Sequence, residues 1–233
     1  QGILPLDSIE ILEKQRGKDY LEVDKTTRLD WEALREKVKT QGMRNSNTMA
    51  IAPTATIANI TGLTQSIEPT YSNLFVKSNL SGEFTVINMH LVDALKEIDM
   101  WDEVMVYDLK NLNGSLESIA RVPEDIKKLF ATSFEVEPKW LIEAASRRQK
   151  WIDQSQSLNL YVSEPNGKKL DVMYRMAWLR GLKTTYYLRS RSATTTEKST
   201  ITNMELNAVK TEPKTYDQPE ACSIDDPDCE ACQ

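Results

Sequence analysis

Residues Asn47-Thr-Met-Ala-Ile-Ala-Pro-Thr-Ala-Thr-Ile-Ala58 join a short apolar run, a proline and a cluster of small hydroxyl residues. The run from Asn47 to Ala52 reads as a buried strand, and Pro53 ends it because proline has no N–H to give a ladder. Small residues continue to Gly62 and open a helix. A strand that passes through such a loop into a helix is a building unit of an α/β fold. The start of that helix leaves N–H groups without intrahelical partners, and these groups with the helix dipole attract anions. Thr54 and Thr56 add hydroxyl donors, and small neighbours allow a phosphate to come close. Two readings stay open: a phosphate cradle, or an ordinary threonine-capped turn. The segment has no Gly-Lys pair, so it is not a P-loop.

The rest of the chain supports the same class. A weak helical stretch runs from Ser8 to Lys14. Asp30 is an N-cap for a helix with Trp31, Leu34 and Val38 on one stripe and Gly42 as its stop. Glu83 to Ile87 is strand-like. Helices are expected over 89–98, 101–110, 123–132 and 138–153, with Pro123 in a first turn. In the last of these, Trp140, Leu141, Ala144, Ala145, Arg148, Trp151 and Ile152 mark one face. Ser155 to Val162 reads as a strand, 168–180 as a helix ending at Gly181, and Leu182 to Leu188 as a final strand. Strands separated by helices imply parallel pairing.

Composition sets outer limits. The 233 residues are 40% hydrophobic and 27% charged, which is a globular balance. A net charge of −6 disfavours a nucleic-acid partner, which asks for a basic surface. No run of about 18 apolar residues occurs, so no membrane span is read. No secretory signal opens the chain, which begins at Gln1 and is therefore expected to be a fragment.

All three cysteines, Cys222, Cys229 and Cys232, fall at the extreme C-terminus. A disulfide framework would spread its cysteines through the fold, so a reducing, cytoplasmic setting is expected. The segment from Ser192 on has one aromatic residue, Tyr216, and its last nineteen residues carry six acidic side chains and no Lys or Arg. Such a stretch cannot bury enough apolar surface to offset its ordering entropy, so 191–233 is expected to be a flexible acidic tail after a domain spanning 1–190. A Cys-x-x-Cys pair on such an end points to a thiol shuttle. Its acidic neighbours disfavour thiolate, so the pair needs a base or cation at the place where it docks. Zinc is the alternative, but three cysteines and the distant His90 do not complete the usual four ligands within one chain. His90 itself reads as a structural residue at a helix start, and Arg147-Arg148 and Lys127-Lys128 as solvated helix faces.

Lys183-Thr-Thr-Tyr-Tyr-Leu188 offers adjacent phenols. In a regular strand Tyr186 and Tyr187 point to opposite faces and simply pack. A redox pair, in which one phenol passes an electron and a proton to the other, requires the backbone to break that alternation.

Taken in order, these motifs resemble the large (catalytic, α) subunit of class I ribonucleotide reductase. The resemblance is carried by Gly42-Met-Arg-Asn-Ser-Asn-Thr-Met-Ala-Ile-Ala-Pro-Thr-Ala-Thr56, Ile67-Glu-Pro69, Leu80-Ser-Gly-Glu-Phe84, Ile152-Asp-Gln-Ser-Gln-Ser157, Leu182-Lys-Thr-Thr-Tyr-Tyr187 and the cysteine tail. It implies an α/β fold, the C-terminal part of a ten-stranded α/β barrel. It implies that Thr54, Ala55, Thr56 and Ile57 hold the diphosphate of a ribonucleoside diphosphate substrate. Tyr186 and Tyr187 would pass a radical from the small (β) subunit toward an active-site cysteine, and Cys229 and Cys232 would re-reduce the active-site disulfide. Thioredoxin or glutaredoxin would in turn reduce that pair. Cys222 matches no role. No cofactor is expected on this fragment: the dimetal centre and tyrosyl radical belong to the small subunit, and the ATP and deoxynucleotide effector sites to earlier sequence. The radical cysteine also belongs upstream, so this piece is not expected to turn over alone, and the complete subunit is expected to be a homodimer. Two rivals are a zinc-bridged interaction module and an adenosylcobalamin-dependent reductase; the latter needs no long radical path and hence no tyrosine pair.

Overall fold

The computed structural model describes residues 2–80 and 82–191. Helices α1 (Ser8–Arg16), α2 (Trp31–Gln41) and α3 (Ala55–Thr61) lead to a hairpin of β1 (Leu74–Asn79) and β2 (Gly82–Ile87). Next come α4 (Met89–Glu97), α5 (Glu103–Asn111), α6 (Glu124–Leu129) and α7 (Pro138–Gln149). The described chain closes with β3 (Leu160–Val162), α8 (Gly167–Leu179) and β4 (Leu188–Ser190). The tail cysteines Cys222, Cys229 and Cys232 lie outside the described residues.

The helix boundaries follow local chemistry. Asp30 accepts from the Ala33 N–H at 3.0 Å and starts α2, and Gly42 ends it at φ 74°. Asn88, Asp102 and Asn166 cap α4, α5 and α8 in the same way. Gly181 follows α8 at φ 73°, and an added Cβ there would sit 2.9 Å from Val23, so only glycine fits.

β3 and β4 pair in parallel across α8, the βαβ arrangement that alternating strands and helices predict. A parallel bridge between Ile51 and Gln156 adds a third backbone segment alongside them. Ile142, Ala145, Leu158, Leu160, Met173 and Ala177 form the core beneath this region, joining α7, β3 and α8. A second core unites Leu74 of the hairpin with Leu91, Leu95, Met105, Leu109 and Ile119 around α4 and α5.

Four expectations need correction. Asn47 to Ala52 is not a buried strand: it makes a single bridge, and Met49 is exposed, because among the described residues only the 154–157 backbone lies beside it. The inward face of α7 is Leu141, Ile142, Ala145, Ser146 and Gln149, with Trp140 exposed. Two inward polar side chains displaced the apolar stripe because each has a partner: Ser146 donates to the Arg180 carbonyl and Gln149 to the Gln154 carbonyl. The helix also stops at Gln149, so that Lys150 can donate to the carbonyls of Asp24 and Thr26 while Trp151 stacks on Trp31 at 5.3 Å. Finally, Leu182 to Tyr187 is irregular and β4 begins only at Leu188; β1, the antiparallel partner of β2, carried too weak an alternation to be read.

Ile142 is fully buried between α7 and β3. Ile142→Ala is expected to lower unfolding free energy by about 2–5 kcal/mol, read as a reduced denaturant midpoint at unchanged slope.

Candidate functional site

The register of β3 and β4 explains where the two tyrosines point. Leu160 pairs with Leu188, and the Leu160 N–H donates to the Tyr187 carbonyl at 2.9 Å. If that register continued backward, the Leu158 carbonyl would accept from Tyr187. Instead it accepts from the Tyr186 N–H at 2.8 Å. One extra residue has therefore been inserted on the tyrosine side, the two-against-one count of a β-bulge. The Tyr187 N–H, displaced from the ladder, donates to Asn159 Oδ1 at 3.1 Å.

Because the insertion breaks strand alternation, both phenols reach the same side. Their ring centroids lie 4.1 Å apart at 49°, and the Tyr186 hydroxyl makes a long 3.4 Å contact with that of Tyr187. That contact holds the Tyr186 phenol above its ordinary pKa, because the neighbouring hydroxyl favours the protonated form. Arg189 places its guanidinium 5.4 Å from the Tyr187 ring. Tyr187 is 54% exposed and Asn159 is 2% exposed, so an accessible phenol stands on a buried support.

The other end of Asn159 identifies a residue whose role the sequence could not rank. Glu68 accepts from the Asn159 N–H and from Asn159 Nδ2, each at 3.1 Å, and from the Tyr161 hydroxyl at 2.6 Å. Burial, reinforced by that bond to Glu68, pushes the Tyr161 phenol up. Arg148, read as solvated, is instead half-buried: its Nε donates to Gln156 Oε1 at 3.3 Å, and burial lowers its pKa against the opposing pull of Glu68. The signal available in the sequence was an acidic residue beside a proline, which is also the signature of any turn.

The small-residue loop is fixed from the same segment. Thr54 is the N-cap of α3 with φ 49°, and Ser66 has φ 52°. Left-handed conformations of non-glycine residues cost of order 1–3 kcal/mol and concentrate at functional sites. The Ser66 N–H donates to Thr54 Oγ1 at 2.7 Å, and Ser66 Oγ donates to the Ala52 carbonyl at 3.1 Å. The Thr54 hydroxyl therefore does not cap α3 as a threonine-capped turn would require; it accepts from Ser66 and keeps its own hydrogen to donate. Ala55, Thr56 and Ile57 form the first turn of α3, where N–H groups have no intrahelical acceptor. One short stretch, Ser66 to Glu68, thus braces both the loop and the support under the tyrosines.

Asp153 secures the extended segment leading into that loop. Its carboxylate accepts from the N–H groups of Thr48 and Met49, at 2.6 and 3.0 Å, and from the Thr48 hydroxyl. His90 sits in the first turn of α4 with an exposed side chain, its backbone donating to Asn88. Among the described residues, no group of three or more His, Cys, Asp or Glu side chains is placed to hold a metal ion.

The family model for the ribonucleotide reductase barrel domain matches residues 1–188. The chain belongs to the ribonucleotide reductase barrel family. It is 60% identical over 201 residues to the ribonucleoside-diphosphate reductase subunit alpha of Chlamydia muridarum, covering 86% of this chain and 19% of that protein. It is 43% identical over 183 residues to the ribonucleoside-diphosphate reductase large subunit of Plasmodium falciparum, covering 78% of this chain and 23% of that one. The chain thus spans about a fifth of the length of such relatives. Among solved structures, the class Id ribonucleotide reductase alpha subunit of Actinobacillus ureae superposes with a TM-score of 0.59 at 29% identity, covering 81% of this chain and 32% of that one. The fold is therefore part of the reductase barrel, as the motifs implied.

The backbone bonds to Asp153 lower its pKa below the usual 3.8. A depressed carboxylate contributes stability that is complete above the unfolded pKa and lost as pH falls through the folded value. Denaturant midpoints should fall on acidification below about pH 4. In Asp153→Asn they should be lower at neutral pH and flatter through that window.

Proposed function

We propose that this chain is the C-terminal catalytic part of a class I ribonucleoside-diphosphate reductase α subunit. The whole enzyme would replace the ribose 2′-hydroxyl of a ribonucleoside diphosphate with hydrogen by a radical mechanism. The observation that carries this reading is the contact of the Tyr186 and Tyr187 rings at 4.1 Å, with Tyr187 exposed. An oxidised Tyr187 is a neutral phenoxyl. It takes one electron and one proton from the adjacent Tyr186 hydroxyl, leaving the phenoxyl there with no net charge moved. The small subunit would supply the oxidising equivalent at the exposed face.

The first turn of α3, with the Thr54 hydroxyl, would bind the substrate diphosphate. Gripping this non-reacting group orients the ribose, and the orientation serves the transition state. The loop's left-handed residues and their bonds to each other support a preformed site rather than one assembled on binding.

Cys229 and Cys232 would act as the shuttle. Their thiolates reduce an active-site disulfide by exchange and leave as a disulfide themselves, which thioredoxin or glutaredoxin then reduces. Attachment to the same chain would raise the effective concentration of the pair at its docking site.

In the complete α subunit assayed with its β subunit, Tyr187→Phe should abolish turnover and leave substrate affinity within about twofold; normal turnover would remove the radical role. Cys229→Ser combined with Cys232→Ser should block thioredoxin-driven cycling and spare the first turnover, as single- and multiple-turnover assays would separate.

A further inference from the structure

We infer that Asn159 is the positioning residue of the tyrosine pair: its side chain holds the inserted residue in the strand and so keeps both phenols on one side. The Leu158 carbonyl serves Tyr186, so the Tyr187 N–H has no backbone acceptor in its own row. Asn159 Oδ1 takes that N–H at 3.1 Å. The amide cannot turn away, because Asn159 Nδ2 and the Asn159 N–H are both engaged by Glu68 at 3.1 Å. Glu68 is fixed in turn by the Tyr161 hydroxyl at 2.6 Å. Asn159 is itself buried, and its chain neighbours Leu158 and Leu160 belong to the α7–β3–α8 core.

A residue without an acceptor at that point leaves the Tyr187 N–H unsatisfied, and one without a donor loses the bond to Glu68 that aims it. The nearest remedy is a one-residue slip that hands the Leu158 carbonyl to Tyr187 and continues the β3–β4 register. Side-chain alternation then returns and turns the two rings to opposite faces. Asn159 binds the backbone of Tyr187 and neither phenol oxygen, so its effect is on where the rings sit and not on their chemistry. Its anchor Glu68 is two residues from Ser66, which holds Thr54, so the clamp stands on the same segment as the small-residue loop.

The test places 3-fluorotyrosine at position 187 of the complete α subunit and follows its fluorine resonance. In the parent, Tyr186→Phe should move that resonance, because the two rings touch. In Asn159→Ala, the same Tyr186 change should leave it still, and kcat should fall at least tenfold with KM within twofold. Glu68→Gln removes one acceptor and leaves Asn159 in place; it should reduce the Tyr186-dependent shift and decides the matter if Asn159→Ala does not fold. A full shift retained in the variants overturns the inference. The turnover arm rests on the proposed radical role, whereas the fluorine arm does not. Loss of the shift with unchanged kcat therefore upholds the positioning role of Asn159 and overturns the radical reading of the pair.

Discussion

A single backbone N–H, that of Tyr187, sets the terms for this molecule's chemistry. It has been pushed out of the β3–β4 ladder by one extra residue, and a buried polar group without a partner is costly. The Asn159 amide supplies that partner. Asn159 is useful only because it is immobile. It is buried between two residues of the core built by α7, β3 and α8, and Glu68 takes both its backbone N–H and its Nδ2. The hydrophobic core is thus the platform, the amide is the clamp, and the contact between phenols is the consequence.

The arrangement separates rigidity from accessibility. Tyr161, Asn159 and Gln156 are buried with their polar atoms bonded, whereas Tyr186 and Tyr187 are about half exposed above them. A pair proposed to meet another protein while keeping a fixed mutual geometry needs both properties. Strain is treated similarly. Thr54 and Ser66 hold unfavourable dihedrals because each secures the other, and Asp153 fixes the extended segment that delivers Thr54. Neither region contains a long regular element. Their order comes from side chains bonding to backbone.

That feature also explains what the sequence made legible. The cap at Asp30 and the stop at Gly42 were readable because each depends on residues within one turn. The tyrosine pair was readable as chemistry but not as geometry, since the bulge that joins the rings depends on Asn159, twenty-seven and twenty-eight positions upstream. Glu68 stood only as the middle of the motif Ile67-Glu-Pro69, with no role, because its partners Asn159 and Tyr161 lie more than ninety residues away. The misread face of α7 has the same origin. Ser146 and Gln149 point inward for the sake of carbonyls on other segments, which no helical periodicity records. Asn47 to Ala52 was apolar enough for a buried strand, but a run of residues cannot report how many neighbours it will have.

The central claim is that an unpaired electron resides on Tyr187 during catalysis. The direct measurement is electron paramagnetic resonance on the complete α subunit with 3-aminotyrosine, a more easily oxidised phenol, at position 187. With the β subunit, substrate and effector present, the account predicts an aminotyrosyl radical signal that forms as the β-subunit radical decays. Substrate binding at full affinity with no such signal, and with no loss of the β-subunit radical, would contradict it.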